Sequence, residues 1–80
     1  MEASDVKEKL TGIFRQTFSN NTMEISDTMT AKDVAQWDSL THINLVMAVE
    51  KGFGVRFTTR EVRSMKNVGD FIKLIQNKAG

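Results

Sequence analysis

The stretch DSLTHINLVMAVEKGFG, residues 38–54, decides which kind of fold this sequence forms. Its apolar side chains follow one another closely up to Val49, and no glycine interrupts them before Gly52. This pattern predicts a helix over residues 39–51 that is apolar around much of its circumference. A helix of this kind lies at the centre of a bundle, or it leaves apolar side chains exposed for a partner.

The predicted helix begins with an acid followed by a serine. Asp38 is a suitable N-cap, because its carboxylate can accept hydrogen bonds from the unpaired amides of the first turn. Ser39 then takes the first helical position with its hydroxyl open to solvent. An anionic group attached there would lie at the positive end of the helix dipole, a stabilisation of about 0.3–1 kcal/mol. These residues fit both an ordinary helix start and a site for a phosphodiester.

An earlier helix is indicated by apolar residues that recur with a helical period in the first twenty positions. Asp5 and Glu8 resemble a capping box that would open this helix, and residues 20–21, both asparagine, would end it. The face that this period predicts to be buried consists of Val6, Leu10, Ile13, Phe14, Thr17 and Phe18.

Residues 20–38 show no sustained helical period and are rich in Asn, Thr, Ser and Asp. A loop of this length is unusual in a compact domain, where connections are mostly about 4–6 residues long. We expect its scattered apolar residues to hold it against the core, with a short helical turn around residues 31–35. These apolar residues are Met23, Ile25, Met29 and Val34.

Two helix starts follow the glycine-containing turn at residues 52–54. Thr58 and Glu61 form a capping-box pattern that opens a short helix, with Val62 and Met65 directed inward. Asn67 opens the last helix, whose inner face is Val68, Phe71, Ile72 and Ile75. The sequence therefore predicts an all-α fold: a small bundle of three longer helices and one short third helix, with a long loop between helices one and two.

The composition excludes several classes of protein. Eighty residues with 40% hydrophobic content suit one small globular domain over residues 1–80. No apolar run approaches the roughly 20 residues of a membrane span, and the polar N-terminus is unlike a secretory signal. With no cysteine and one histidine, His42, neither a metal site nor a Ser-His-Asp triad is expected. A cytoplasmic protein without a membrane or nucleic-acid partner fits these features.

Charge is distributed unevenly along the chain. Residues 1–38 hold seven acids and four bases, whereas residues 39–80 hold three acids and seven bases. Such asymmetry is compatible with a partner surface, a nucleic-acid footprint or simply a solvated face.

The stretch of residues 37–75 resembles the acyl carrier protein family over its full length. With the first helix and the long loop included, the resemblance covers roughly residues 5–77. The family pattern is Asp-Ser-Leu, an apolar-rich helix ending in Glu, Phe-Gly-Ile/Val, a short helix, and Val-Gly-Asp at the start of the last helix. The matching elements here, in the same order and spacing, are Asp38-Ser39-Leu40, residues 45–50, Phe53-Gly54-Val55 and Val68-Gly69-Asp70. Asp-Ser-Leu alone is a weak motif, but the four elements together are specific.

The resemblance implies a carrier and not an enzyme, with no catalytic residue and no resident metal. By this match Ser39 would be esterified by 4′-phosphopantetheine, which a separate Mg²⁺-dependent transferase takes from coenzyme A. Asp38 would help the transferase recognise the site and position its metal, and Leu40 completes the motif. An acyl or related unit would ride as a thioester on the arm's thiol, and a monomer would present it to acyl-loading and acyl-processing enzymes.

In the family the second helix is the recognition helix, and its exposed face is usually acidic. The matching positions here are Thr41, His42, Ile43, Asn44, Met47, Glu50 and Lys51, of which only Glu50 is acidic. We expect Met47 to contact partners and His42 to be a surface or capping-region residue. Ile43 is a candidate for partner recognition too, with core packing the slightly favoured alternative. Near the third helix, a basic set could contact an acidic partner or nucleic acid, or simply be solvated: Arg56, Arg60, Arg63 and Lys66.

The scarcity of acids on this helix argues against a role as the housekeeping carrier of fatty-acid synthesis. The Trp-Asp-Ser-Leu-x-His pattern is similar to free-standing carriers of specialised lipid, polyketide or polysaccharide-modification pathways. An aminoacyl or peptidyl carrier of non-ribosomal peptide synthesis is an alternative that shares the arm. A small helical interaction or DNA-binding domain is an alternative of another class, although the basic residues do not line one long recognition helix.

Overall fold

The computed structural model describes residues 2–79, which form four helices. These are α1 (Ala3–Thr17), α2 (Ser39–Phe53), α3 (Thr59–Ser64) and α4 (Val68–Ala79). The all-α bundle with a short third helix and a long first loop is thereby confirmed. Within residues 2–79, no helix is both long enough and apolar enough to cross a membrane.

The core lies where α1 packs against α2 and α4. At its centre is Phe14, whose ring centroid lies 5.4 Å from that of Trp37 and 6.2 Å from that of Phe71, both edge-on. The predicted inner face of α1 is largely correct. Leu10 is fully buried, whereas Ile13 and Thr17 are only partly buried.

The start of α1 differs from the predicted one. The helix begins at Ala3, and the N–H of Val6 donates to the carbonyl of Glu2 at 3.0 Å. Asp5 is therefore an exposed first-turn residue, and the capping box predicted at Asp5 and Glu8 is wrong. Acidic side chains within the first turn are stabilised by the helix dipole. The spacing of Asp5 and Glu8 can therefore occur inside a helix and does not by itself mark where the helix begins.

The end of α2 lies two residues beyond the predicted one. Gly54, with φ of 67°, takes the left-handed conformation that closes the helix, while Gly52 remains helical. A Cβ at Gly52 would lie 2.9 Å from Cδ1 of Ile13, so this glycine allows α1 and α2 to approach closely.

The long loop is fixed to the start of α4 by backbone hydrogen bonds. The N–H groups of Val68 and Gly69 donate to the carbonyls of Met29 and Asp27, at 3.0 and 2.9 Å. A Cβ at Gly69 would lie 3.1 Å from that Asp27 oxygen, which explains the glycine of the Val-Gly-Asp element. As predicted, the loop's apolar residues reach the core: Ile25 and Val34 are buried, and Met23 and Met29 are partly buried.

The expected helical turn around residues 31–35 is not a helix. The N–H of Asp33 donates to the carbonyl of Thr30 at 2.9 Å and that of Trp37 to Val34 at 3.0 Å, giving two separate turns. The second turn brings Trp37 into the core immediately before α2 begins.

The short helix α3 has the capping box that the sequence predicts. Thr58 Oγ1 accepts from the N–H of Glu61 at 3.2 Å, and Glu61 Oε1 accepts from the N–H of Thr58 at 2.8 Å. That backbone N–H, together with the ammonium of Lys78, 2.9 Å from the carboxylate, holds the pKa of Glu61 below its ordinary value. No side chain of α3 is fully buried, so Met65, which follows it, supplies its anchor in the core.

Candidate functional site

Ser39 is the first residue of α2, directly after the N-cap Asp38. Asp38 Oδ1 accepts a hydrogen bond from the N–H of Thr41 at 2.8 Å, which fixes where the helix starts. Ser39 is exposed, and among the described residues its hydroxyl has no hydrogen-bond partner. The hydroxyl is therefore available at the positive end of the helix, as the sequence predicts.

The hydrogen bond from Thr41 also lowers the pKa of Asp38 below its ordinary value. Because the folded pKa is the lower one, the ionised carboxylate stabilises the fold above the unfolded value of about 3.9. This contribution is lost as the pH falls through the lowered folded value.

We therefore expect wild type to lose more stability than Asp38→Asn between about pH 5 and pH 2.5, because asparagine can cap a helix but does not titrate. Urea unfolding of both proteins across this range measures the difference. Equal losses in the two proteins would show that the Asp38 cap contributes nothing to the acid response.

An open groove of about 750 Å³ begins beside Ser39. It runs between the start of α2 and α3, and it is lined by apolar side chains, by two cations, and by the polar residues Asp38, Ser39, His42 and Thr59. The apolar part includes Trp37, Ile43, Val62 and Met65, and the cations are Arg63 and Lys66. The groove was not predictable from the sequence, because segments that are distant along the chain form its two sides.

His42 joins both sides of the groove. Its Nδ1 accepts from Trp37 Nε1–H at 3.1 Å, so its Nε2 bears the proton and donates to the carbonyl of Val62 at 3.0 Å. The imidazole also stacks on the Trp37 ring, with centroids 6.1 Å apart. His42 lies in the first turn of α2, as expected for a capping-region residue, but it is half-buried and also connects α2 to α3. A buried tryptophan N–H needs a partner, and that requirement was the available signal.

Replacing His42 with alanine is expected to lower the free energy of unfolding by about 1–3 kcal/mol, because the Trp37 N–H would stay buried without an acceptor. Chemical denaturation measures this loss. In Trp37→Phe, which lacks the N–H, the same His42 substitution should cost less.

The matched control is Asn44→Ala, two positions along α2, where the side chain is exposed. We expect this variant to stay within about 0.5 kcal/mol of wild type. If His42→Ala costs the same in wild type and in the Trp37→Phe variant, the role given to the hydrogen bond is contradicted.

Three apolar side chains of α2 are exposed, and we call them the apolar stripe: Leu40 (70% exposed), Ile43 (52%) and Met47 (61%). The expected core packing of Ile43 is wrong, because Leu45, Val46 and Val49 are the residues that face the core. In a helix that is apolar on most sides, spacing alone does not tell which side is buried.

The carboxylate of Glu50 is already used within the fold. Its Oε2 accepts from the N–H of Phe57 at 2.7 Å, which holds the segment after α2 against the helix. Asn44 and Lys51 are exposed on α2. Between Thr41 and Lys51, the only carboxylate of α2 is thus one that is hydrogen-bonded to the backbone.

The basic set lies at the surface. Arg56, Arg60, Arg63 and Lys66 are all exposed, and within residues 2–79 none of them forms an ion pair. The described residues also contain no group of three or more His, Asp or Glu side chains that could hold a metal ion.

Comparison with known proteins gives consistent matches over nearly the whole chain. No family model matches the sequence. Relatives named acyl carrier protein include one from Acidothermus cellulolyticus, 34% identical over 74 residues, which spans 89% of this chain and 88% of that protein. Another, from Thermosynechococcus vestitus, is 30% identical over 78 residues, with 98% and 96% coverage. The solution structure of a holo acyl carrier protein from Geobacter metallireducens aligns with a TM-score of 0.85 and 36% identity, covering 91% and 84%.

Relatives that match over most of their length and a neighbour of the same fold identify the chain as a carrier and not an enzyme. It belongs to the acyl carrier protein family. Membership favours the carrier over the alternative of a small DNA-binding domain, and it implies a covalent 4′-phosphopantetheine as prosthetic group.

The surroundings of Ser39 fit such a group. Attachment requires a hydroxyl that solvent and an enzyme can reach, and the Ser39 hydroxyl is exposed and unbonded among the described residues. The helix start suits the negative charge of a phosphodiester, and the adjacent groove leaves space beside the attachment point.

Proposed function

We propose that Ser39 is the attachment point of the 4′-phosphopantetheine arm, on which this chain holds an acyl or related carboxylic unit as a thioester. The observation that carries the proposal is the exposed, unbonded hydroxyl at the first position of α2, within the Asp-Ser-Leu element. Because the sequence has no cysteine, the thiol that binds the cargo must come from the arm.

The neighbours of Ser39 have separate roles in this proposal. Asp38 fixes the start of α2 through its bond to Thr41, and so keeps the Ser39 hydroxyl directed away from the core. The same carboxylate would face a phosphopantetheinyl transferase and its Mg²⁺. Leu40 is exposed beside the serine and offers that enzyme an apolar contact.

We further propose that the chain, a monomeric cytoplasmic domain, serves a specialised lipid, polyketide or polysaccharide-modification pathway. The support is the surface of α2, where Thr41, Asn44 and Lys51 stand at positions that are usually acidic in the family. Glu50, the remaining acid, is bonded to the backbone of Phe57. Some acyl-loading and acyl-processing enzymes attract their carriers through basic patches on the enzyme. This surface has few acidic groups, so its electrostatic attraction to such patches would be weak.

The test is to incubate the purified chain with coenzyme A, Mg²⁺ and a phosphopantetheinyl transferase of broad specificity. We expect the intact mass to rise by one phosphopantetheinyl group and peptide fragmentation to place the group on Ser39. An unchanged mass, or a group on another residue, would refute the proposal.

A further inference from the structure

The apolar stripe of α2 is bordered by cations at both ends. Leu40, Ile43 and Met47 are spaced by three and four residues, so they form one line of about 10 Å along the helix. At the Ser39 end, Ile43 shares the 750 Å³ groove with Arg63 and Lys66.

A second groove, of about 550 Å³, lies at the other end of the stripe. Here Met47 is grouped with Lys51 and Arg56, and both cations are exposed. Among residues 2–79 no carboxylate is ion-paired with any of the four cations that border the stripe.

Each groove also contains one carboxylate, which has a backbone partner. Asp38, in the first groove, accepts from the N–H of Thr41, and Glu50, in the second, accepts from the N–H of Phe57. These N–H groups are neutral, so both carboxylates keep their charge, but each groove has two cations against one carboxylate and is net positive. Both ends of the stripe therefore carry the same sign of charge.

We propose that this face of α2 and α3 docks on a partner enzyme that presents an apolar pocket between two patches of Asp and Glu side chains. The inference rests on the proposed function, because docking here would bring the arm on Ser39 to the partner. A partner with basic patches would place like charges against both grooves, which opposes association. An apolar pocket is required because three large side chains are more than half exposed.

The arrangement favours a protein over other polyanions. A nucleic-acid surface offers a continuous row of phosphates, whereas these cations form two pairs separated by apolar side chains. Stacking of bases needs aromatic side chains, and the stripe has none. Helices that insert in membrane interfaces carry a broader apolar face, often with Trp or Phe.

The experiment measures kcat/KM for modification of Ser39 by two purified phosphopantetheinyl transferases, one with an acidic carrier-binding face and one with a basic face. At low salt, wild type should react faster with the acidic-faced enzyme, and added salt should reduce this advantage. The double variant Lys51→Glu/Arg56→Glu should lose about tenfold or more with that enzyme and gain with the basic-faced one. Met47→Gln should lower kcat/KM with both, since it removes apolar contact without adding charge.

The matched control is Lys73→Glu, which reverses an exposed charge on α4 outside both grooves. It should change kcat/KM little, and thermal unfolding should show every variant folded. If Ser39 is modified at equal rates in all variants, or Lys73→Glu acts as strongly as reversals in the grooves, the docking surface is refuted and the carrier function stands.

If no chain is modified by either enzyme, the proposed function itself fails. Flotation with phosphatidylserine vesicles and titration with duplex DNA test the other polyanions. Wild type could bind the vesicles or the DNA, and the Lys51→Glu/Arg56→Glu variant could lose that binding. This result would assign the surface to that polyanion and overturn the proposal.

Discussion

The Ser39→Ala variant is expected to gain no phosphopantetheinyl group under conditions in which wild type is fully modified. The substitution removes one exposed oxygen that makes no hydrogen bond within the described residues, so the fold has nothing to lose at this position. Alanine is also a good helix former, so α2 should be retained. Intact-mass analysis measures modification, and denaturation curves of the two proteins should coincide within about 0.5 kcal/mol.

A second hydroxyl provides a control that is closely matched in position. Thr59 is the first residue of α3, is exposed, and lines the same groove as Ser39. If any hydroxyl at a helix start in this groove were sufficient, Thr59→Ala would also reduce modification. We expect Thr59→Ala to be modified as wild type is, and residual modification of Ser39→Ala would rule out Ser39 as the sole attachment point.

The Phe14→Ala variant is expected to show the largest loss of stability, about 3–5 kcal/mol in the free energy of unfolding. The Phe14 side chain is fully buried and contacts the rings of Phe18, Trp37 and Phe71. Removing it leaves a cavity where α1, the end of the long loop and α4 meet. An 80-residue chain has about 4–12 kcal/mol of stability in total, so the variant should be close to unfolding.

Urea denaturation followed by circular dichroism measures this loss, and Phe14→Leu keeps the test informative if Phe14→Ala does not fold. Phe14→Leu retains most of the buried volume and should lose clearly less stability. Met47→Ala is the control for truncating a large side chain, and its exposed position predicts a change within about 0.5 kcal/mol. Similar losses in Phe14→Leu and Met47→Ala would contradict the central role of the Phe14 ring.

Helix starts set by neighbouring side chains were predictable from the sequence. Asp38 caps α2, and Thr58 with Glu61 caps α3, because the groups that bond are three residues apart in each case. The same reasoning failed at Asp5, because a capping-box spacing also occurs inside a helix that begins further upstream. The local spacing of capping residues shows where a helix can begin. Whether the helix begins there depends on whether the preceding residues are themselves helical.

Features that depend on distant parts of the chain were not predictable from local pattern. Gly52 stays within α2, and its lack of a side chain leaves room for Ile13 of another helix. His42 is held by Val62, twenty positions later, and this contact closes one side of the groove. The exposure of Ile43 likewise depends on where α1 lies, since α2 is apolar on most of its sides.

Trp37 also makes the groove accessible to fluorescence measurements. It is the only tryptophan of the sequence, and it lines the groove beside Ser39 while contacting His42 through a hydrogen bond and a stacked ring. Indole emission from this protein therefore arises at one place, next to the proposed attachment point. The chain thus contains its own fluorescent reporter, with which occupancy of the groove can be followed without a label.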